Sequence, residues 1–462
     1  MLGPSKKRDP PPPARSDLPA SSPPPHPPVP DLEFPDGGYG WVQVLAVFLI
    51  NAFTWGQTAS YGVYLAYYLS TNRYPTATSL DYAFIGGLQI SLSLLIAPIV
   101  TILTRRLTMH ACMLLGIGIQ TTGFIAASYA HEIWHLYVTQ GVLLGLGLGF
   151  ISVPANPILS QWFSKRRSLA TGISSAGSGI GGLIFSFASS ALMHRLSLAW
   201  AFRITALTCA VANLVAVLLI RNRNAVVKPP QLGFDTQLLH PRRRSDVLLF
   251  LAWAFVSLFG YTSLLYSLSP FASALGLSND KAAAISAFLN LGTAVGRPAV
   301  GFASDRFGRI EVAASLTFAA GLACFAFWIP AETYAVTAVF AVAVGAVFGV
   351  FWMTVAPIAA EVAGVAQVPS LLSITWLVVA GPALFTEVIA LKLRRLSSSK
   401  PYLYPQVFAG TAYIVAALCL IQLRIVLRKR NARELAAQES PASPVHAHAR
   451  AAPLAVAEVK TG

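Results

Sequence analysis

The sequence predicts an all-α membrane protein with about twelve transmembrane helices in two six-helix halves. Of its 462 residues, 55% are hydrophobic and only 11% are charged, and the mean hydropathy is +0.61. A soluble globular chain carries about 25% charged residues, so the composition is that of the membrane class. About twelve apolar segments follow one another, each near the roughly 20 residues that cross a bilayer as a helix. A basic segment divides them into six and six.

The formal net charge of +15 does not indicate a nucleic-acid partner. The basic residues lie between apolar segments rather than on one soluble patch, which is typical of cytoplasmic loops in a membrane protein. Four cysteines fall in apolar segments without CxxC spacing, so we expect small buried side chains and neither a disulfide nor a metal site. They are Cys112, Cys209, Cys324 and Cys419.

Residues 1–40 are rich in proline and contain the runs PPPP and PPPHPPVP. Proline removes a backbone donor and is not tolerated inside helices, so we expect a disordered cytoplasmic tail. The tail lacks the apolar core of a signal peptide, and the first helix is expected to act as the insertion signal. Residues 431–462 are rich in Ala, Pro and His without a periodic pattern, and we expect a second disordered cytoplasmic tail.

The apolar segments place the first half at 41–220 and the second at 247–430, with a basic cytoplasmic loop at 221–246. In the first half they lie near 42–66, 83–103, 111–130, 134–158, 168–192 and 200–220. In the second half they lie near 247–270, 281–303, 311–330, 333–358, 370–391 and 405–427.

The distribution of Lys and Arg predicts that both termini are cytoplasmic, because cytoplasmic loops carry an excess of these residues. The loops assigned to that side contain Arg105-Arg106, Lys165-Arg166-Arg167 and the central basic loop. One loop disagrees, since 392–400 has four basic residues and would face outward. We expect a multi-pass protein of the plasma membrane.

The eighth apolar segment carries Arg297, a cation that costs roughly 2.5–3.5 kcal/mol in hydrocarbon on insertion scales and is rarely present without a use. Ser286, Asn290, Thr293 and Arg297 fall at i, i+4, i+7 and i+11, which is one face of one helix. That face requires water, protein or a ligand opposite it. Guanidinium suits a carboxylate because it is planar, always charged and presents paired donors. The alternative is a structural cation that binds backbone carbonyls or another span.

Further polar and aromatic residues are candidates for the same pathway. Asn51, Thr54, Thr58 and Tyr61 in the first span follow i, i+3, i+7 and i+10, a second polar face. Aromatic residues of later spans are candidates for a cage around an organic substrate, although ordinary packing is the alternative for each. These are Tyr261, Tyr266, Trp352 and Trp376.

Several motifs resemble those of the major facilitator superfamily. Gly301-Phe-Ala-Ser-Asp305-Arg306-Phe-Gly308-Arg309 resembles its GxxxDRxGR turn, and Thr104-Arg105-Arg106-Leu107 is a degenerate first-half copy. Pro35-Asp36-Gly37-Gly38-Tyr39-Gly40-Trp41 resembles the signature of the monocarboxylate porter branch, with the tyrosine of fungal members. Segment 162–172, Arg297-Pro298 and Gly381-Pro382 resemble that branch's fifth-, eighth- and eleventh-span motifs. The resemblance covers residues 35–427 and implies the major facilitator fold.

Two positions depart from the proton-coupled members of that branch. Their first-span lysine is replaced by Ala59, and the acid one turn before their eighth-span arginine is replaced by Thr293. The resemblance therefore implies a porter with the family arginine and leaves lactate-type proton symport open. Glu387, an acid inside a late span, is a candidate proton relay. The alternative is a solvated residue at the outer interface.

The motif around Asp305, Arg306 and Arg309 is interpreted as a cytoplasmic gate. Paired charges at a helix end stabilise one conformation, and rocking of the two halves must break or remake them. The alternative is that these charges serve orientation alone.

Two soluble-enzyme motifs do not fit their context. Gly177-Ser-Gly179-Ile-Gly181-Gly182 satisfies GxGxxG, but it lies inside a span with no preceding strand. His131-Glu132-Ile-Trp-His135 satisfies HExxH, but it lies in a short loop without an evident third ligand. No GxxxxGK[ST] motif for ATP occurs in the sequence. We expect no enzyme, no cofactor and no metal.

Together these features predict a secondary active or facilitative transporter of small organic solutes in the bilayer, with monocarboxylates as the expected substrates. Arg297 would bind the anionic group, with Asn290, Thr293, Asn51 and Tyr261 around it, and protons are a candidate coupling ion. The alternatives are a transporter of riboflavin or another larger neutral or weakly acidic metabolite, and a nutrient sensor that does not transport.

Overall fold

The structure is a computed structural model and describes residues 36–71, 73–223, 245–364, 367–395, 398 and 400–439. Within these residues the regular secondary structure is entirely helical, and the helices form twelve consecutive segments, α1 to α12. The all-α membrane fold that the sequence predicts is confirmed.

The first half consists of six helical segments, two of which contain π-helical turns. These are α1 (Gly40–Asn51, the π-helical Ala52–Gly56, Gln57–Ala59 and Tyr61–Thr71), α2 (Ser79–Leu95 and Ala97–Arg106), α3 (Met109–Ala127), α4 (Ile133–Leu136, the π-helical Tyr137–Leu143, Leu144–Ala155 and Ile158–Trp162), α5 (Arg167–Arg195) and α6 (Leu198–Leu219).

The second half also consists of six helical segments. These are α7 (Ser245–Ala274), α8 (Asn279–Phe307), α9 (Arg309–Ala323 and the π-helical Cys324–Trp328), α10 (Tyr334–Phe348 and Val350–Ala363), α11 (Val368–Leu393) and α12 (Leu403–Glu439). Each coincides with one of the apolar segments of the sequence.

Eleven of these helical segments are long and apolar enough to cross a bilayer. The other is α8, which is 29 residues long and carries the polar face with Arg297. Its opposite face exposes Val295 by 69%, and α6 exposes Leu207 and Leu218 by 67% and 73%. Exposed apolar side chains of this kind fit a surface that faces lipid rather than water.

Two helix pairs join the halves: α5 packs against α8, and α2 packs against α11. In the second pair, Gly87 lies against the backbone carbonyl of Leu384, and the Ser91 hydroxyl donates to the carbonyl oxygen of Ala380 at 3.0 Å. Small residues permit this close backbone approach between membrane helices. Of the other eight helical segments, α1, α4, α7 and α10 also contribute residues to the space between the two halves.

Two tail boundaries differ from the sequence-based prediction. Residues 36–40 do not continue the proline-rich tail, because Asp36 binds the turn before α5 and α1 begins at Gly40. At the other end, α12 continues through position 430 to Glu439, because the Arg and Ala residues there favour a helix and no Pro or Gly interrupts it. Residues 1–35, 224–244 and 440–462, which hold most of the predicted tails and basic loop, lie outside the described residues.

The loop at 392–400, whose positive charge disagrees with the orientation rule, has partners for three of its cations. Arg394 donates to the Tyr402 hydroxyl at 2.9 Å, and Arg395 lies 4.3 Å from the ring centroid of Tyr404. Lys400 forms an ion pair with Glu332 at 3.6 Å. These cations therefore have local structural roles as well as a charge.

Candidate functional site

A central cavity of about 100 Å³ lies between the two halves. It is lined by residues of α1, α2, α4 and α5 from the first half and of α7, α8, α10 and α11 from the second. A cavity of this size holds several waters or a small organic solute. Its position at the interface of two six-helix halves is where transporters of this architecture bind their substrates.

All five residues that the sequence proposes for substrate binding line this cavity: Arg297, Asn290, Thr293, Asn51 and Tyr261. The Asn51 amide donates to the carbonyl oxygen of Ser174 at 3.1 Å, across to α5. The Thr293 hydroxyl donates to backbone carbonyls of α8 and α10, at 3.0 and 3.2 Å. Members of both polar faces therefore meet around one space.

Arg297 is 5% exposed and is held by the first half. Its Nη1 donates to the carbonyl oxygen of Ser175 at 2.7 Å and to the Ser178 hydroxyl at 2.5 Å. Its Nε has no hydrogen-bond partner, and the described residues form no ion pair with it. Among the lining residues Arg297 is the charged one. The cavity thus presents a buried positive charge with unused donor capacity.

A glycine makes room for this guanidinium. Gly349 separates the two helices of α10, and a Cβ added there would lie 2.9 Å from Nη2 and 3.0 Å from Nε of Arg297. Any larger residue at this position would displace the guanidinium. The break in α10 at Gly349 therefore provides the space that the Arg297 guanidinium occupies.

Three residues of α1 line the cavity around its π-helical turn: Asn51, Trp55 and Thr58, which follow the helical spacing i, i+4 and i+7. Thr54 is instead fully buried, with its hydroxyl on the Ile50 carbonyl. The predicted polar face that included Thr54 and Tyr61 is wrong in those two members. Trp55 was missed because the face was identified from its polar residues, and the tryptophan side chain is largely apolar.

Five aromatic side chains form one side of the cavity, and we call them the aromatic wall: Trp55, Tyr261, Phe348, Trp352 and Trp376. The Trp352 ring lies 5.2 Å from Trp55, 5.8 Å from Tyr261 and 5.8 Å from Trp376, measured between centroids. The Tyr261 ring stacks on Phe348 at 4.7 Å. Trp55 belongs to the first half and the other four to the second, so the wall crosses the interface.

Asp305 joins the halves at the end of α8. Its two carboxylate oxygens accept hydrogen bonds from the backbone N–H groups of Ser168 and Leu169, at 3.0 and 2.8 Å. These are the first free amides of α5, where the helix dipole favours a negative charge. Asp305 therefore caps a helix of the opposite half. We call this contact the latch.

Arg309 supports the latch, whereas Arg306 does not take part. Arg309 lies 3.9 Å from Asp305 and 3.6 Å from Glu361, and it donates to the carbonyl oxygen of Ser164 at 3.4 Å. Arg306 is exposed and lies beside the ring of its neighbour Phe307. Of the three predicted gating residues, the structure brings Asp305 and Arg309 to the interface.

Asp36, in the signature before α1, binds the same turn from the other side. One of its oxygens accepts from the backbone N–H groups of Ser164 and Lys165, at 2.8 and 3.0 Å. The neighbouring Tyr39 hydroxyl donates to the carbonyl oxygen of Leu219 at 2.9 Å. This signature therefore connects α1, the α4–α5 turn and the end of α6.

Glu387 lies in α11 and does not line the cavity. It is 8% exposed, its Oε2 has no hydrogen-bond partner, and it lies within electrostatic range of Tyr61 and Tyr266. Tyr266 is itself a lining residue. The acid is thus buried next to the cavity rather than solvated at an interface.

The HExxH motif serves as a helix cap. His135 Nδ1 accepts from the backbone N–H of Glu132 at 3.1 Å, and the Glu132 carboxylate accepts from Trp134 Nε1 at 2.7 Å. Within the described residues, no three His, Cys, Asp or Glu side chains are grouped so that they could hold a metal.

Comparison with known proteins gives a consistent set of matches. The sequence profile of the Major Facilitator Superfamily matches residues 44–386. The chain is 34% identical over 412 residues to the Probable transporter MCH2 of Saccharomyces cerevisiae, covering 88% of this chain and 87% of that protein. It is 36% identical over 401 residues to the Uncharacterized transporter ESBP6 of the same yeast, covering 84% of this chain and 59% of that protein. The human Monocarboxylate transporter 7 is 31% identical over 170 residues, 37% of this chain and 32% of that protein.

Proposed function

The chain belongs to the Major Facilitator Superfamily, and from this premise we propose that it carries small organic monocarboxylates across the membrane by alternating access. It is a transporter and not an enzyme. Its relatives support the monocarboxylate-transporter-like branch of the superfamily. The proposal that the substrates are monocarboxylates depends on the residues that line the cavity.

The observation that carries the proposal is the buried, unneutralised Arg297 in a cavity between the two halves. A cation held in a low-dielectric site is costly unless it is paired, so a substrate that supplies a negative charge is favoured there. Nη1 is anchored on α5, and the donor capacity that remains on the planar guanidinium suits a carboxylate. Asn290, Thr293, Asn51 and Tyr261 would shape the rest of the pocket.

Alternating access would use the latch as its gate on one side. When the two halves move apart on the latch side, the Asp305 carboxylate must separate from the backbone amides of α5. The cavity then opens on that side. With both termini in the cytoplasm, the latch side is cytoplasmic, and we propose the plasma membrane as the location. Glu387 is the candidate carrier of a coupled proton, because it is an acid that lies buried beside the cavity. It does not occupy either of the two positions, Ala59 and Thr293, at which this chain differs from the proton-coupled members of the family.

The riboflavin alternative has one observation in its favour, because the aromatic wall suits a flat ring system. It leaves the charge of Arg297 without a partner. The sensor alternative keeps binding but predicts no movement of solute. One flux experiment distinguishes both alternatives from monocarboxylate transport.

The experiment measures uptake of labelled monocarboxylates and of riboflavin into proteoliposomes, with and without an inward proton gradient. Arg297→Ala should lower the second-order rate constant for carboxylate uptake about tenfold to hundredfold, the loss expected for a hydrogen bond to a charged group. Arg297→Lys retains the charge without the planar fork and should be intermediate.

Arg195→Ala removes an exposed arginine at the end of α5 and is the matched control. Uptake that is indifferent to Arg297→Ala, or absent for every acid tested, contradicts the proposal. Uptake of riboflavin alone would favour the first alternative, and binding without flux would favour a sensor.

A further inference from the structure

We propose that the preferred substrates are aromatic monocarboxylates, in which a planar ring is joined to the carboxylate by a short linker. This inference rests on the proposed function and narrows its substrate class. Three features of the cavity carry it: the aromatic wall, the position of the cation relative to that wall, and the charge of the lining.

The aromatic wall offers ring faces and edges to a flat solute. Aromatic pairs with centroids 4.5–7 Å apart gain energy beyond the burial of area, whereas a saturated ring of the same size gains from burial alone. The rings of Trp55, Trp352 and Trp376 already form a continuous series at 5.2 and 5.8 Å. A short aliphatic acid would leave most of this surface unused.

The cation lies at one end of the wall. Tyr261 is in contact with the Trp352 ring at 5.8 Å and lies close enough to Arg297 to interact electrostatically with its guanidinium. One tyrosine therefore connects the carboxylate-binding group with the ring-binding surface. A solute that reaches both carries a carboxylate and a ring that are joined by a linker.

The charge of the lining argues against amino acids. The lining residues include no Asp or Glu, so a substrate ammonium would meet no carboxylate in the cavity. Neutral donors and acceptors are present instead, including Asn51, Ser175 and Ser178. A hydroxyl on the linker is compatible with them, whereas a second charge of either sign is not.

The wall also spans both halves, since Trp55 belongs to α1 and Trp352 to α10. A ring bound against both side chains would contact the two halves at once. Substrate contact with both halves is what couples binding to their relative movement in transporters of this kind.

The test compares three matched acids on the purified full-length protein: 3-phenyllactate, 3-cyclohexyllactate and lactate. Binding is measured by calorimetry in detergent, which avoids the passive permeation of weak acids, and flux is then measured in proteoliposomes against protein-free vesicles. We expect phenyllactate to bind about threefold to tenfold more tightly than cyclohexyllactate, the range that aromatic pairing contributes.

Trp352→Leu should abolish the difference between the phenyl and cyclohexyl acids, and Trp352→Phe should retain most of it. Trp376→Leu provides a second variant if Trp352→Leu does not fold. Trp134→Leu changes an exposed tryptophan far from the cavity and should leave all affinities unchanged.

Equal affinity for the phenyl and cyclohexyl acids overturns the aromatic preference. Binding and transport of lactate in preference to both overturns it as well, while the monocarboxylate function stands. If none of the three acids binds or moves, the proposed function itself fails.

Discussion

At the scale of single residues, Glu387 raises the question of proton coupling. It is buried, one carboxyl oxygen has no partner, and its neighbours Tyr61 and Tyr266 belong to different halves. An acid inside the membrane and away from a cation is a functional candidate by default, because its charged form is costly there. It lies near Tyr266, which reaches the cavity, so its protonation state could be sensed by a bound substrate.

Glu387→Gln tests this role, because glutamine resembles the protonated acid and cannot release a proton. If Glu387 carries the coupled proton, gradient-stimulated uptake is lost, while exchange of labelled for unlabelled substrate at equal pH continues. The measurement is proteoliposome flux in both modes. Glu332→Gln, at an acid exposed by 73%, is the control. Gradient stimulation that persists in the Glu387→Gln protein contradicts the assignment.

The residues of the cavity could be read from the sequence only in part, because those contributed by α2, α4 and α5 were not identified. Arg297, Asn290 and Thr293 were found because polarity with helical spacing is conspicuous in an apolar segment. Trp55, in the π-helical turn of α1, was missed because the face was identified from polar residues, although Trp55 follows Asn51 at i+4. The carbonyl of Phe53 in this turn accepts from Gln120 at 3.2 Å, a tertiary contact that a local pattern does not reveal.

At the scale of helices, the contact between α5 and α8 depends on glycine. A Cβ at Gly172 would lie 2.5 Å from the carbonyl oxygen of Arg297, and one at Gly179 would lie 2.8 Å from the carbonyl oxygen of Asn290. Gly301 lies equally close to the Ser168 carbonyl. Backbone atoms cannot rotate away as side chains do, so these positions exclude larger residues. The structure identifies α8 as the partner of these α5 glycines, which a local sequence pattern does not reveal.

Gly172→Ala should therefore separate α5 from α8 near Arg297. Overpacking of this kind costs about 1–3 kcal/mol, so we expect a lower Tm in detergent and a reduced maximal rate of uptake. Gly118→Ala is the control, because Gly118 lies in α3 with no atom within 4 Å of its added Cβ. An unchanged Tm and rate for Gly172→Ala would show that the helices adjust without cost. That result would contradict the close packing described above.

At the scale of the whole molecule, the latch connects the two halves through a backbone contact. The sequence motif around Asp305 predicted a gate, yet its partner could not be predicted, because the amides of Ser168 and Leu169 leave no signature in side chains. The same limit applies to Asp36, which binds the preceding amides of the same turn. The two acids therefore bind neighbouring backbone amides of one segment, Ser164 to Leu169. Only Asp305 belongs to the second half, so it alone must be released when the halves separate.

Asp305→Asn should weaken the latch and shift the protein toward the state that is open on the latch side. Asparagine lacks the negative charge that the N-terminus of α5 favours and has one accepting oxygen instead of two, a loss of about 0.5–2 kcal/mol that raises the open-to-closed ratio about twofold to thirtyfold. Thr171→Cys places a thiol in the cavity lining one turn beyond the latch, and its rate of reaction with a polar maleimide reports opening.

Arg306→Ala, at the exposed neighbour of Asp305, is the control and should leave the rate of maleimide labelling unchanged. If the two variants accelerate labelling equally, opening does not depend specifically on the Asp305 contact, and the assignment of the latch is contradicted. If only Asp305→Asn accelerates it, the cap on α5 is the element that the movement of the halves must break.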